Sequence, residues 1–373
     1  MDFSFNEEQE AVRDLARQIL TGQSTHERLK ELETSGEALD RRTWDELAKA
    51  NLLGIAVPEV HGGSGLGFLE VCLLLEQVGA TTARVPVLPT LVMGALPITE
   101  FGSEGQRSRW LPAVVTGEAV LSAALVEVGA EVMRPTTTAK RDGDGWRLDG
   151  VKVCVPAGLS ADCILVPAAT AEDTVGVFLL DPSAHGVELA RQDTTSGVPE
   201  ARLEMSGALV GGGDVLGDPA GGSAMVAWLV ERTTAGLCAT ATGVCEAALR
   251  MTAEYTKTRE QFDKVIATFQ AVGQRAADAY IDTEAVRLTA WQAAWRLSEG
   301  LPAAEEVAVA KFWAAEGGQR VVHAAQHLHG GIGVDRDYPL HRYFLWAKQL
   351  ELTLGGATSS LLRLGRLLAD EPV

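Results

Sequence analysis

No stretch of the 373-residue sequence runs for about 18 to 20 apolar residues without a charge, so no membrane-spanning helix is expected. Basic charge is also scarce: Lys and Arg total 32 against 50 Asp and Glu, a formal net charge of −18. That deficit excludes the basic face a nucleic-acid partner requires and electrostatic docking to an anionic membrane. It still admits an anionic small ligand, because a few local arginines can hold one phosphate group. Cysteine is sparse and odd in number. Cys72, Cys154, Cys163, Cys238 and Cys245 all have small or apolar neighbours, so no disulfide framework is expected and the cytoplasm is the expected compartment. Cys238 and Cys245 share one helix face and read as buried small hydrophobes rather than a metal or redox pair. The opening "MDFSFNEEQEAVRDLARQIL" lacks the basic n-region and apolar h-region of a targeting segment.

What is present is apolar residue, 46% of the chain, over a length that predicts more than one folding unit. Up to about residue 117 the pattern is helical. Val12, Leu15, Ile19 and Leu20 recur at helical spacing behind an acidic first turn, "RTWDELAKANLLG" makes a short helix, and "FLEVCLLLEQVGA" a buried one. The intervening "IAVPEVHGGSGLG" (55 to 67) lacks the Lys-Ser/Thr and preceding strand of a phosphate loop and reads as a structural turn. From 118 to 217 short β segments alternate with turns: "AVLSAALVE", "TTTAKRD", "WRLDGVKVCVP", "DCILVPAAT", "VGVFLLD", "GVELARQ" and "ARLEMSG", with "DGDG" (142 to 145) as a hairpin turn. From 218 to 373 the chain is helical again, with long helices expected over 224 to 257, 268 to 298 and 303 to 329 and a four-helix bundle as their packing. The fold class expected is therefore α+β and multidomain: an N-terminal helical domain (1 to 117), a middle β-barrel or sandwich domain (118 to 217) and a C-terminal four-helix bundle (218 to 373).

Two segments carry concentrated chemistry. "TREQFDKVIATFQAV" (258 to 272) sets an arginine, glutamine and phenylalanine together, and fits either a ligand clamp or a solvated helix junction. His323, His327 and His329 form H-x3-H-x-H, whose first pair shares a helix face, but no Cys or carboxylate stands beside them to complete a metal site.

In sequence order, "MDFSFNEEQEAVRDLAR", "LLGIAVPEVHGGSGLG", "EYTKTREQFDKVIATFQAV" and "HLHGGIGVDRDYPLHRYF" resemble segments of the acyl-CoA dehydrogenase family, and the resemblance covers essentially the whole chain. Within that family the form "HLHGGIGVDRDYPLHRYFLWAKQLELTLGGAT" looks closest to actinobacterial members that resemble the non-catalytic partner subunits of heterotetrameric (α2β2) steroid side-chain enzymes. The resemblance implies α,β-desaturation of an acyl-CoA thioester, in which a carboxylate removes the α-proton while hydride passes to FAD. It also implies a flavin lying across a subunit boundary, with the neighbouring subunit holding the ADP end. By that resemblance Arg259 meets the pyrophosphate, Phe262 packs on the dinucleotide, Gln261 and Gln270 supply polar contacts, and the turn at Gly330 and Gly331 lets backbone N–H groups approach the cofactor. His327 stands where the family has a cofactor-facing glutamine, with Gln326 one place earlier.

Other positions depart from the family pattern. The loop that carries Thr-Glu-Pro and Gly-Ser-Asp in catalytic members is here "LVEVGAEVMRPTTT" (125 to 138). The Trp-x-Thr beside the flavin ring is "KVCVPAG", with Cys154 for the tryptophan and Pro156 for the threonine. At the usual base position stands Leu354, and at two alternative positions Thr233 and Thr240, none of them a carboxylate. Glu231 and Glu246 lie about 200° or more round the same helix and read as solvated or interface charges.

The leading expectation is a catalytically silent subunit that donates the ADP half of an FAD site to a homologous catalytic partner, which binds most of the acyl-CoA. The alternatives are a self-sufficient homotetrameric dehydrogenase using Glu231 or another carboxylate, and a non-enzymatic CoA- or protein-binding scaffold.

Overall fold

Asn6 starts the first helix for a local reason. Its side chain accepts from the Gln9 N–H at 2.8 Å while the Gln9 side chain accepts from the Asn6 N–H at 3.1 Å, and Glu7, Glu8 and Glu10 lie at the positive end of the helix dipole. In the computed structural model, which describes residues 4–171 and 174–370, this helix is α1 (Glu7–Gln23). The first three residues of the N-terminal motif and the last three of the chain lie outside the described residues. Next come α2 (His26–Ser35), α3 (Arg41–Lys49), α4 (Phe68–Thr81), a π-helical run over Leu88–Ala95, α5 (Leu96–Phe101) and α6 (Glu104–Val115). The glycine-rich segment between α3 and α4 is a packed turn: a Cβ on Gly63 would lie 2.0 Å from the Val57 carbonyl oxygen.

Eight strands follow: β1 (Leu121–Ala123), β2 (Thr138–Asp142), β3 (Gly145–Pro156), β4 (Cys163–Ala171), β5 (Thr174–Leu180), β6 (Val187–Gln192), β7 (Glu200–Val210) and β8 (Val215–Leu216). They form one sheet in the order β6-β7-β3-β2-β4-β5-β8, with β1 added beside β4. Asp142 pairs with Gly145 across a two-residue loop, which is the hairpin the sequence predicts. The sheet is mixed, because β1 and β2 both run parallel to β4. Its own core holds Trp146, Leu148, Val155, Ile164, Val166, Phe178, Leu203 and Met205.

The C-terminal part begins with α7 (Gly222–Thr258) and a two-stranded hairpin, β9 (Glu260–Gln261) and β10 (Lys264–Val265). Then come α8 (Gln270–Ser298), α9 (Ala304–His329), α10 (Leu340–Leu352) and α11 (Ala357–Asp370). The three long helices end within two residues of the expected positions, as fraying helix ends do. Helices α7 to α10 make the bundle, and α11 lies on α9. Helix α4 lies along α7, and two glycines permit it. A Cβ on Gly79 would stand 2.0 Å from the Thr240 carbonyl oxygen, and one on Gly243 would stand 1.8 Å from that of Glu76. One continuous hydrophobic core therefore joins the N-terminal helices, β1 and its neighbours, and the C-terminal bundle.

Candidate functional site

Helix α7 stops at Thr258, and Arg259 turns into extended backbone (φ −76°, ψ 128°) to start the small hairpin. Gln261 faces Lys264, so Phe262 and Asp263 form a two-residue loop with φ of 54° and 60°. Residues with side chains adopt this left-handed conformation at a cost of about 1–2 kcal/mol each, and such strain gathers at ligand clamps. Its effect here is to hold the Phe262 ring out at 87% exposure, with only an edge contact to Phe269 at 6.4 Å. The Arg259 guanidinium is exposed and has no ion-pair or hydrogen-bond partner among the described residues, so neither Glu260 nor Asp263 holds it. Gln261 is exposed and its side chain donates to the neighbouring Glu260 carbonyl oxygen (2.9 Å), and Gln270 is exposed at the first position of α8.

The end of α9 is tied to this hairpin through aromatic rings. Tyr255, one turn before Arg259, stacks on His329 with centroids 4.4 Å apart and 19° between planes. Buried His329 has its Nδ1 2.8 Å from the Ala325 carbonyl oxygen and its Nε2 3.1 Å from the Tyr338 hydroxyl. Burial pulls its imidazolium below the usual range, against the Ala325 carbonyl, which favours the proton. His323 packs edge-on against Phe344 and His327 is exposed in the last turn, so the three histidines serve separate surroundings. Gln326 is half-buried. Gly330 follows with φ 66° and ψ −143°, a region nearly closed to side chains, and neither Gly330 nor Gly331 has an atom within 4 Å of where a Cβ would stand. Tyr255 and Tyr338 are the residues that reading by motif alone passed over. Their only signal was an aromatic placed four residues before Arg259 and another nine after His329.

The other half of the arrangement is a junction of all three parts of the chain. Here Pro156 at the end of β3, Ala157 after it, Val198 before β7, Glu200 at its start, Thr240 of α7 and Trp346 and Gln349 of α10 line a cavity of about 150 Å³. Ligand sites usually occupy about 300–1,000 Å³. Cys154 and Ala157 carry φ of 52° and 53° beside a register shift between Lys152 and Val155, so the strand is kinked where the family's ring-facing residues would be. Burial and the neighbouring Glu200 carboxylate push the Cys154 thiol up. Glu200 accepts from the Gln349 amide at 3.1 Å, and burial raises its pKa. Beneath the kink, Lys152 and Glu127 form a buried ion pair at 2.6 Å. Burial of the Glu127 carboxyl acts to raise its pKa, but Lys152 and hydrogen bonds from Thr136 and Thr137 outweigh it and hold the group at about 2.

The structure places no carboxylate at any of the three base positions. Leu354 is half-buried just past α10, with φ 57°. Thr240 donates to the Gly236 carbonyl oxygen (2.9 Å), and buried Thr233 has a hydroxyl with no partner. Glu231 lies 3.9 Å from Arg363 of α11, and Glu246 3.6 Å from Arg287 of α8; neither lines the cavity. Lys311, also passed over, is 2% exposed and donates to the Leu350 (2.5 Å) and Glu351 (3.1 Å) carbonyl oxygens, which caps α10 and fixes the chain before Leu354. Its sequence signal was a lone lysine in an apolar helical stretch. Burial lowers its pKa to about 8.

Models of the acyl-CoA dehydrogenase N-terminal, middle and C-terminal domains match residues 6–118, 126–207 and 221–366. Acyl-CoA dehydrogenase FadE27 of Mycobacterium tuberculosis is 41% identical over 380 residues, covering 100% of both chains. Among solved structures, the ChsE4–ChsE5 complex of Mycobacterium tuberculosis contains a chain 42% identical to this one, with a TM-score of 0.95 over 100% of both. A variant of the Tcur3481–Tcur3483 steroid ACAD contains a chain 46% identical, with a TM-score of 0.91 over 98% of both.

Proposed function

The chain belongs to the acyl-CoA dehydrogenase family, and on that premise we propose that it is a catalytically silent subunit of a hetero-oligomeric, FAD-dependent acyl-CoA dehydrogenase. It would supply the ADP-binding half of the flavin site in trans to a homologous catalytic partner, in an α2β2 assembly. Bound FAD would supply the hydride acceptor for the acyl β-carbon, and the partner the base for the α-proton. In this reading Arg259 holds the pyrophosphate with a guanidinium that already lacks a partner in its own chain. Phe262 covers the dinucleotide, and Gln261, Gln270, Gln326 and His327 offer polar contacts. The open turn at Gly330 and Gly331 leaves room for the cofactor.

The observation that carries the proposal is the contrast between two half-sites. Arg259 and Phe262, suited to the ADP end, stand exposed, Arg259 without a partner among the described residues, while none of the three base positions, Leu354, Thr233 and Thr240, carries a carboxylate. In this reading the chain supplies no base for the α-proton. The substrate would be a bulky CoA thioester bound mainly by the partner. A steroid side-chain ester follows from the steroid enzyme among the similar structures. The placement of Glu231 against Arg363 and outside the cavity tells against a self-sufficient homotetramer.

Expression of the chain alone and with a homologous catalytic subunit tests this reading. The chain alone should be colourless, and the co-expressed complex should carry FAD and dehydrogenate an acyl-CoA. A yellow, active single chain overturns the proposal, and absence of FAD from both preparations favours a scaffold.

A further inference from the structure

Arg84 lies between α4 and the π-helical run, is 6% exposed, and has no carboxylate partner among the described residues. The acid nearest in charge, Glu33, is taken by Arg342, which grips it through Nε (2.6 Å) and Nη2 (3.1 Å). Nη1 of Arg84 donates to the Leu32 (3.4 Å) and Glu37 (3.2 Å) carbonyl oxygens. A guanidinium has five N–H donors, and two sit on Nη1. The Nε–Nη2 edge is left without a partner, and that edge is the planar fork that matches the two oxygens of a carboxylate. A largely buried guanidinium gains from an anion on its open edge. Arg84 lines the cavity at the three-part junction, and a Cβ on Gly197, in the loop that forms the facing wall, would stand 3.3 Å from Nη2. Leu39, Leu75, Val78, Leu88 and Val198 give the cavity apolar walls.

We propose that this cavity is a binding site for a short aliphatic monocarboxylate, with its carboxylate on the Nε–Nη2 edge of Arg84 and its alkyl chain along the apolar walls. The apolar lining suits an alkyl chain, and the walls bound its length. A phosphate fits less well, because it carries more charge than one guanidinium neutralises and gains nothing from aliphatic walls. Glu200 also lines the cavity, with Oε1 bonded to Gln349 and Oε2 buried without a partner, and burial raises its pKa, which favours the neutral acid beside a bound carboxylate. The proposal rests on the reading that no flavin ring occupies this junction.

Calorimetric titration of the full chain with butanoate, pentanoate, hexanoate and octanoate, and with 1-pentanol, tests it. Each added methylene should tighten binding roughly fourfold until the cavity is full, after which octanoate should gain nothing more. Pentanoate should bind at least about tenfold more tightly than 1-pentanol, and Arg84→Gln should abolish that preference. Val198→Phe, which fills the cavity and leaves Arg84 intact, should remove binding of the whole series; it decides the matter if the Arg84 variant fails to fold. Equal binding of pentanoate and 1-pentanol, no binding at all, or full binding by Val198→Phe overturns the proposal. Flavin absorbance of the same sample separates the two readings. Flavin present in the lone chain and displaced by pentanoate would assign the cavity to the ring and overturn the silent-subunit function. A colourless chain that binds no carboxylate overturns only the carboxylate site.

Discussion

Arg259→Ala separates a cofactor role from a structural one because the structure gives the side chain nothing to do within its own chain. The guanidinium is exposed and unpartnered, so its loss should change folding stability by no more than about 0.5 kcal/mol, as for other surface sites free of special features. Against a pyrophosphate the expectation reverses. A hydrogen bond to a charged group is worth about 1.5–3 kcal/mol, and about 1.4 kcal/mol is a factor of ten in affinity. Loss of one such contact should weaken FAD binding by about 10- to 150-fold. The assay is the flavin-to-protein ratio of the assembled complex after extended dialysis, paired with urea unfolding of the chain alone. Arg259→Lys should fall between wild type and alanine, since an ammonium keeps the charge but not the two-pronged geometry. An unchanged flavin ratio would refute the clamp, and so would a large loss of stability in the alanine variant, because the residue would then be holding the chain rather than the cofactor.

Leu354→Glu should leave turnover of the complex at the wild-type level, because in the proposed assembly the partner holds the flavin ring and the acyl group; a rise in turnover would contradict the reading. Glu76, 4% exposed, has its carboxyl raised to about 7 by burial and by Glu246, against the Trp291 N–H at 3.1 Å. The folded state therefore holds this proton more tightly than the unfolded chain, whose carboxyl titrates near 4.5, and stability falls as pH rises from about 4.5 to 7. Glu76→Gln keeps an acceptor for Trp291 and should flatten that slope, gaining up to about 3 kcal/mol above pH 7 in urea titrations at several pH values; an unaltered slope would sink the assignment. Gly243→Ala forces a methyl to within 1.8 Å of the Glu76 carbonyl oxygen and should cost about 1–3 kcal/mol or more by parting α4 from α7. Gly273→Ala in α8, where a Cβ meets nothing within 4 Å, is the control and should be neutral or mildly stabilising in the same urea assay.

Features that depend on near neighbours in the chain were legible without coordinates. The acidic first turn of α1, the Gly143–Asp144 hairpin loop, the alternation of the middle strands and the three long helices each follow from residues a few positions apart, and their physical causes act at that range. The absence of carboxylates at Leu354, Thr233 and Thr240 was equally visible, since it is a matter of residue identity. The sequence also carried the glycines of α4 and α7, but not their purpose. Only the crossing of the two helices brings Gly79 against Thr240 and Gly243 against Glu76. The coupling of Tyr255 to His329, 74 residues later, and of Glu200 to Gln349, 149 residues later, likewise came from packing, as did the cap that Lys311 places on α10. The cavity belongs to the same class. Its walls come from segments scattered between Ala38 and Leu350, and a volume left between packed surfaces has no local signature in any one of them. Arg84 shows the limit most plainly. Along the chain it is one of 32 basic residues, and only the fold buries it, gives Glu33 to Arg342 instead, and leaves its free edge beside an apolar space.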